Sequence, residues 1–331
     1  MRQQLLEKLL AETNPATWNE LYIRHGAPSG EEVPFLAAKA HSGDSAVRRS
    51  AARLLALSPT PEAKAALRKL VAETQDAAVF GRALAGLLNE PDAKELAAAR
   101  PKLVEQALHS ADPEAAAAGV RAARLIGLST ADPELLRRLL DPDFHVRSAT
   151  LETLAEQGAG ALEPKLCELL LADPQNLFPS KLNVYRALAQ SPAAETAAVF
   201  RQSLTGASTE RVLDFVNGLQ LSHSRQPWLR QLLLELSAAE GHPARWPALD
   251  QLWGWNDPAT QHELALLCLA QLEKRLPKER SDKLINDNEL DTCVAKLNKF
   301  VEHEYTFREL FELRDAARAR LLPGSAPAGP K

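Results

Sequence analysis

The sequence is poor in cysteine, aromatic residues and long apolar runs, and each shortage narrows the class of protein. The three cysteines, Cys167, Cys268 and Cys293, stand far apart in the 331 residues and form no CxxC pair. This sparse, odd set favours a reducing compartment over a disulfide framework. Aromatic residues make up only 5% of the chain and β-branched runs are scarce, which disfavours a sheet-based fold.

No stretch of the chain approaches the roughly 18 apolar residues that a membrane span requires. Residues 1–10 are charged and amphipathic, and they lack the apolar run of a signal peptide. The 39 basic and 43 acidic residues give a formal net charge of −4, whereas a dedicated nucleic-acid-binding protein is usually basic. We therefore expect a cytoplasmic protein with no membrane association, for which nucleic acid is a disfavoured partner.

Alanine and leucine dominate the composition, and both are strong helix formers. One phrase recurs: residues 51–57, AARLLAL, return 71 residues later as residues 122–128, AARLIGL. Weaker copies appear at intervals of 30 to 40 residues. A period of that length is typical of a helical solenoid, in which each repeat buries its apolar face only against its neighbours.

Each repeat is predicted to contain two helices, of which the first begins near an aspartate. After Asp44, apolar residues between Val47 and Leu55 recur at i, i+4, i+7 and i+8, which is one stripe of a helix. The same register follows Asp76 and Asp143. An aspartate at this position can accept hydrogen bonds from the free N–H groups of the first helical turn.

The second helix of a repeat often opens with proline, which suits the first helical turn because no intrahelical hydrogen bond is lost there. The prolines that precede apolar periodic segments are Pro61, Pro101, Pro133, Pro164, Pro192, Pro227 and Pro247. Three Asp-Pro pairs are predicted to mark a helix end and the next helix start. They are Asp112-Pro113, Asp173-Pro174 and Asp257-Pro258.

The segment 141–154, DPDFHVRSATLETL, resembles the first helix of a HEAT repeat in its Asp-Pro, its Val-Arg pair and its downstream leucine. Residues 44–48, DSAVR, resemble it again without the proline. This resemblance to the HEAT-repeat family of armadillo-like α-solenoids covers roughly residues 42–275. It implies an all-α, right-handed α-solenoid of helical hairpins that holds partners along a concave groove.

The flanks depart from the repeat pattern. Residues 1–41 are predicted to form an N-terminal helical cap, with helix starts at Asn14-Pro15 and at Ser29, which has capping-box spacing to Glu32. Residues 276–322 are predicted to form a C-terminal helical cap with helices near 293–301 and 305–322. Residues 323–331 are rich in Pro, Gly and Ser and are predicted to be a disordered tail.

Four side chains of the repeat pattern are predicted to be structural: Asp44, Arg48, Asp141 and Arg147. An arginine that follows the stripe valine can bond the aspartates or the helix-end carbonyls of the next repeat. The alternative is a ladder of arginines, which would include Arg53 and Arg124 of the recurring phrase, that binds anions or phosphates.

Four of the five tryptophans, Trp228, Trp246, Trp253 and Trp255, lie within 28 residues of each other. Gly254 is predicted to end a helix between two of these rings. Exposed tryptophan is typical of binding hot spots, which makes the cluster a candidate partner-binding site. The alternative is that the rings fill a wide gap in the core.

The second helices are expected to line the concave surface, and they carry candidate binding cations. These are Arg68, Lys102, Arg137, Arg138 and Arg230. A basic stripe could follow a phosphate backbone, but interleaved glutamates make a solvated, mixed-charge face the simpler interpretation.

No catalytic or metal-binding motif stands out. The pair His262-Glu263 is not followed by a second histidine at HExxH spacing, and residues 286–291 lack the glycine of a calcium loop. We therefore expect a non-enzymatic scaffold or adaptor that binds a protein or peptide partner, with no metal and no cofactor.

Two alternative functions are left open. Some HEAT-like proteins resemble DNA glycosylases for alkylated bases, in which tryptophans and an aspartate line a basic groove. Trp253, Trp255 and Asp257, with Arg230 or Arg245, supply those residue types. Other HEAT-like families attach cofactors, which would make the chain a lyase or chaperone for a cofactor-bearing protein.

Overall fold

The structure, a computed structural model, describes residues 2–127, 129–276, 288–306 and 309–322. Every regular element in these ranges is a helix, and no strand occurs there. The all-α prediction is confirmed. The predicted tail at 323–331, the first two residues of the segment 286–291 and Leu128 of the recurring phrase lie outside the described residues.

The chain divides into two compact units, residues 1–179 and 180–331, and the boundary falls inside the predicted repeat array. The α-helices of unit 1 are α1 (Arg2–Ala11), α2 (Pro15–His25), α3 (Val33–Lys39), α4 (Ser45–Leu57), α5 (Pro61–Glu73), α6 (Ala77–Ala85), α7 (Ala93–Ala99), α8 (Pro101–Leu108), α9 (Pro113–Leu125), α10 (Pro133–Leu139), α11 (Phe144–Gln157) and α12 (Glu163–Leu171).

The α-helices described in unit 2 are α13 (Leu182–Leu188), α14 (Thr196–Leu204), α15 (Thr209–Ser222), α16 (Pro227–Ala238), α17 (Arg245–Trp253), α18 (Pro258–Arg275), α19 (Asn288–Leu297) and α20 (Leu310–Leu321). Short 3₁₀ helices occur at Gly30–Glu32 and Gly160–Leu162 in unit 1, and at Asn298–Phe300 in unit 2.

Unit 1 is built from two layers of helices. In the first layer α4 packs against α6, α6 against α9, and α9 against α11. The intervening helices α3, α5, α8 and α10 pack against α4, α6, α9 and α11 respectively. Each pair therefore buries its apolar stripe against the next pair, which is the stacking predicted from the repeat.

Aspartate N-caps set the starts of the first-layer helices. The Asp44 carboxylate accepts hydrogen bonds from the N–H groups of Ala46 and Val47, at 2.8 and 3.2 Å. Asp76 and Asp143 accept the equivalent pairs of first-turn bonds, and Asp112 accepts one from Ala115. These bonds satisfy donors that a helix leaves free, and the predicted helix starts are confirmed.

Helix α9 lies at the centre of unit 1 and packs against α6, α8 and α11. Its residues 115–120 are all alanine, glycine or valine, and all of them are buried. Gly119 makes the closest approach, because a Cβ atom at this position would lie 2.2 Å from the backbone nitrogen of Leu108 in α8. The small side chains therefore fix how near α9 lies to its neighbours.

Unit 2 has an aromatic core between its first four helices. Tyr185, Phe200 and Phe215 are fully buried and pack edge to face, with ring centroids 5.1 to 5.9 Å apart. Trp228 adds a fourth ring, 5.5 Å from Phe200. The larger rings fill the space that leucine and alanine fill in unit 1.

Three predicted boundaries are wrong. Asp173-Pro174 does not start a helix: the Asp173 carboxylate accepts bonds from Leu177 and Phe178 in a loop, and α13 begins only at Leu182. Helix α17 begins at Arg245, two residues before the predicted proline. The last helix begins at Leu310 instead of near 305.

Candidate functional site

Arginines of the first layer connect each repeat to the aspartate cap of the next. Arg48 Nη2 lies 3.0 Å from Asp76 Oδ2, and its Nη1 donates to the carbonyl groups of Ser42 and Gly43 at 2.9 and 3.0 Å. Arg82 Nη2 lies 3.2 Å from both carboxylate oxygens of Asp112. Each of these carboxylates thus caps its own helix and also pairs with an arginine of the preceding first-layer helix.

Arg147 and Asp141 also make local backbone contacts. Arg147 Nη1 donates to the carbonyl oxygens of Asp141 and Pro142, both at 2.8 Å. The Asp141 carboxylate accepts the N–H of Asp143 at 2.9 Å and faces Arg138 at 3.0 Å. These are contacts of side chains that hold a helix start, and they give no open anion site here.

Two of the four clustered tryptophans are buried. Trp228 is 8% exposed, and its indole N–H donates to the carbonyl oxygen of Ser191 at 2.8 Å. Trp253 is 6% exposed and packs against Phe300, with Lys296 and Lys299 over its ring. The burial of Trp228 and Trp253 contradicts their assignment to an exposed binding surface, because Trp228 packs against Phe200 of α14 and Trp253 packs against Phe300.

The other two rings are half-buried. The guanidinium carbon of Arg245 lies 4.8 Å from the ring centroid of Trp246. Trp255 lines a shallow depression with Arg225 and Asp250. These two rings do not join Trp228 and Trp253 in one exposed aromatic site.

The candidate cations of the second helices differ in their availability. Arg138 is buried between Glu134 and Asp141, at 2.7 and 3.0 Å, so its assignment to a binding surface is wrong. Arg68 contacts Asp92 at 2.6 Å and Glu90 at 3.0 Å. Lys102 and Arg137 are exposed, and Arg137 forms an ion pair with Glu134 of its own helix.

Of the residues considered for base excision, Asp257 and Arg230 meet at Thr260, whereas Arg245 is engaged elsewhere. Asp257 is the N-cap of α18, where it accepts the Thr260 N–H at 2.9 Å, and hydrogen bonds from the Thr260 side chain and backbone hold the pKa of Asp257 below its ordinary value. Arg230 contacts Thr260 and Glu263, and Arg245 is buried with a bond to the Ser237 carbonyl. Nothing in this geometry favours the DNA glycosylase alternative or a cofactor site.

Unit 1 contains a concave groove across α4, α6, α9 and α11. We call it the alanine groove. Its volume is about 400 Å³. Its apolar floor consists of Ala56, Leu57, Ala85, Ala117 and Ala118. Small side chains on three neighbouring helices leave this space open, since larger residues at the same positions would fill it.

Charged side chains line the groove above the floor. They are Arg53, Arg82, Glu114 and Arg121, with His145 at the α11 side. Glu114 is shared between Arg53 at 3.1 Å and Arg82 at 2.9 Å. Arg121 contacts Glu152, which lies outside the lining, at 2.9 Å. The lining therefore holds three guanidinium groups and one carboxylate.

An adjoining depression extends the groove toward α2 through Arg49 and Trp18. The guanidinium carbon of Arg53 lies 3.5 Å from the ring centroid of Trp18, a close cation–π contact that fixes the orientation of the arginine. Burial lowers the pKa of Arg53, an effect that the nearby Glu114 opposes and Arg82 adds to. The charge of Arg53 is thus only partly compensated by its neighbours.

The sequence interpretation missed this site. It singled out Arg53 as a member of the recurring phrase, but it gave no role to Arg82, Arg121 or Trp18. The available signal was the alternation of arginine with alanine on successive first helices, at 49–56, 82–85 and 117–121. That pattern indicates that arginine and alanine share one face of each first-layer helix. It does not show that these faces lie around an open groove.

None of the helices in the described ranges is both long and apolar enough to cross a lipid bilayer. Within the same ranges, no group of three or more His, Cys, Asp or Glu side chains is placed to hold a metal ion.

Comparisons with known proteins find similarity in three-dimensional structure. No protein-family profile and no curated protein matches the sequence. The crystal structure of Kap121p bound to Ste12p aligns with a TM-score of 0.32 and 13% identity, over 96% of this chain and 36% of that one. The crystal structure of Kap121p bound to RanGTP aligns with a TM-score of 0.31 and 14% identity, over 97% of this chain and 36% of that one. The chain thus spans about a third of the length of these structures.

Proposed function

We propose that this protein is a non-enzymatic scaffold whose unit 1 binds an extended segment of a protein or peptide partner in the alanine groove. The observation that carries the proposal is the groove itself: an apolar floor of small residues, open above and bordered by charged side chains. Binding sites for ligands combine apolar surface with a few polar groups that fix orientation, and 400 Å³ lies in their usual range.

The size of the groove restricts what enters it. A volume of 400 Å³ admits one or a few side chains and the backbone that joins them, but not a folded domain. A partner therefore contributes a loop, a tail or an extended strand of chain. Contacts of the remaining partner with the exposed second-helix cations Lys102 and Arg137 would supplement this anchor.

The groove is a better candidate than the second helices predicted from the sequence. Arg68 and Arg138 of those helices are already paired with carboxylates, and each such pair would have to be broken for a partner to use it. In the groove, by contrast, a partner can bury apolar area without breaking an ion pair.

Selection of peptides from a random phage-displayed library against the full chain tests the proposal. We expect selected peptides to bind the wild type and to lose binding to Ala85→Phe, which fills the groove with an aromatic ring. Ala98→Phe is the matched control, because Ala98 is exposed on α7 outside the groove.

Circular dichroism of both variants verifies that they fold. The proposal is rejected if selection returns no binding peptides, or if the peptides bind Ala85→Phe as well as they bind Ala98→Phe.

A further inference from the structure

We propose that the alanine groove selects peptide segments in which a carboxylate side chain, from aspartate or glutamate, stands next to an aliphatic side chain. This inference rests on the proposed function and specifies the chemistry of the partner. It follows from the charges, contacts and shape of the groove.

The lining of the alanine groove contains more positive than negative side chains. Three guanidinium groups and one carboxylate give the lining a formal charge of +2, on a chain whose formal net charge is −4. Asp112 and Glu152 compensate part of this charge from outside the lining. When both are counted, together with Arg49 and Glu12 of the adjoining depression, cations and anions are equal in number, so the excess of cations belongs to the groove lining itself. The groove is thus a locally positive site on a negative chain, which favours an anionic ligand group.

The arginines of the lining also supply hydrogen-bond capacity. Each guanidinium group has five N–H donors in a planar fork that suits a carboxylate. Glu114 divides its two oxygens between Arg53 and Arg82. The Arg53 side chain is 31% exposed and pairs with Glu114 through Nη1, so its other N–H groups can meet a second carboxylate without displacing the first.

The floor of the alanine groove is apolar and suits an aliphatic side chain. Ala117 and Ala118 are buried, whereas Leu57 at the edge of the floor is 41% exposed. An aliphatic side chain placed on this floor would bury mainly the exposed part of Leu57. Burying such apolar area stabilises the complex by about 25 cal/mol per Å². The neighbouring position along an extended ligand then faces the arginines.

The position of Glu114 favours a carboxylate over a nucleic-acid backbone. A phosphate backbone needs a continuous track of cations, and here Glu114 stands in the middle of the lining. Successive phosphates would meet this carboxylate at close range. A peptide places its charge at separate side chains and avoids that repulsion.

The test measures fluorescence anisotropy of a fluorescein-labelled peptide of alternating glutamate and leucine titrated with the full chain. A second peptide, with glutamine in place of each glutamate, has the same size and no charge. We expect the glutamate peptide to bind at least about tenfold more tightly, an advantage that shrinks as salt is raised.

Variants connect the effect to the groove. Arg53→Gln with Arg121→Gln is expected to weaken binding of the glutamate peptide about tenfold and leave the glutamine peptide unchanged. Arg53→Lys with Arg121→Lys retains the charge and should keep most of the affinity. Arg24→Gln removes an exposed arginine of α2 that does not line the groove, and it is the matched control. If the double variant does not fold, Arg121→Gln alone provides the test, since its observed ion pair is with Glu152 at the surface.

Equal binding of the glutamate and glutamine peptides, or unchanged binding by Arg121→Gln, overturns the inference. A preference for a phosphoserine peptide or for an oligonucleotide over the glutamate peptide overturns it as well. The proposed function fails separately, when peptides of any charge bind Ala85→Phe as well as the wild type.

Discussion

At the scale of the residue, most charged side chains that the sequence offers as candidates are already engaged. Arg48, Arg68 and Arg138 each face a carboxylate within 3.0 Å. Sequence alone predicts that arginine and aspartate recur at fixed positions, but it does not show which of them meet. A free binding cation and a paired structural one have the same spacing, so only the folded contacts separate them.

The tryptophans illustrate the same difficulty. Gly254 ends α17 as predicted, yet the exposure of the ring beside it depends on Phe300 and Lys296, which lie more than 40 residues later in the chain. Local patterns place a ring at a helix end, whereas its burial is decided by distant elements.

The first prediction concerns Trp228. Trp228→Ala should lower the free energy of unfolding by about 3 to 5 kcal/mol, since it leaves a large cavity beside Phe200 and removes the hydrogen bond to Ser191. Chemical denaturation followed by circular dichroism measures this change. Trp255→Ala, at a half-buried ring, is the control and should cost clearly less. Similar costs for both substitutions would show that Trp228 is not a core residue.

The second prediction concerns Glu32 in unit 1. Burial by itself would raise the pKa of Glu32, but hydrogen bonds from Arg2 and Ser29 and the nearby His25 outweigh it and lower the pKa to about 2, from an ordinary value of 4.5. Since the folded-state pKa is the lower one, protons bind the unfolded chain first as the pH falls. Unit 1 should therefore lose roughly 1 to 3 kcal/mol of stability between about pH 5 and pH 2.

Glu32→Gln supplies the control for this pH dependence. The variant should be less stable than the wild type at pH 6, and the difference should shrink toward pH 2 as the wild-type carboxylate takes up its proton. Urea denaturation at several pH values measures both effects. A difference that stays constant with pH would contradict the assigned pKa.

At the scale of the element, the helix starts were the most predictable feature. Prolines at the first turn of α5, α8, α10 and α16 and aspartates before α4, α6 and α11 act on their own helix, so a short stretch of sequence determines them. Asp173-Pro174 fails because its carboxylate bonds residues four and five positions later, and Asn176 adopts a left-handed φ of 49°. The same two residues form a loop when the following turn is not helical.

The close packing of helices was less predictable, and Gly119 shows why. Glycine in a helix usually costs about 1 kcal/mol relative to alanine, so sequence alone suggests a weak point in α9. The structure instead shows that a Cβ atom there would overlap the backbone of α8, at Leu108 and Ala107. Glycine is required at position 119 because the neighbouring helix α8 lies so close.

The third prediction follows from the short distance between α9 and α8 at Gly119. Gly119→Ala should destabilise unit 1 by about 2 kcal/mol or more despite the better helix propensity of alanine, because α9 must move away from α8. Thermal and urea denaturation measure the loss. Gly43→Ala is the matched control, since a Cβ atom at Gly43 meets nothing within 4 Å, and we expect a change within about 0.5 kcal/mol. A neutral Gly119→Ala would mean that the two helices have room to adjust.

At the scale of the whole molecule, stability in a stack of helical pairs is the sum of contacts between neighbours. Periodicity predicted this stacking from the sequence alone. It could not predict that residues 1–179 and 180–331 form separate compact units, since the repeat pattern continues through the boundary. The groove likewise escaped prediction, because its lining spans Arg53 to His145 on four different helices.

The fourth prediction is that amide hydrogen exchange in unit 1 varies with position in the stack. Helices α6 and α9 contact neighbours on several sides, whereas α2 packs mainly against α1. A helix opens only when its contacts open, so α6 and α9 should exchange more slowly than α2. Mass spectrometry of the exchanging full chain measures this order. Uniform protection across the unit would indicate a single cooperative core.

The close packing of Gly119 against α8 also affects how the groove binds a ligand. Ala117 and Ala118 of the groove floor stand directly before Gly119 on α9, and the close approach of Gly119 to the backbone of Leu108 restrains this helix. The receptor surface is consequently preorganised, and little conformational entropy is lost there when a ligand arrives. Such a rigid template discriminates by shape: it accepts side chains that match its depth and rejects bulkier ones instead of reshaping itself around them.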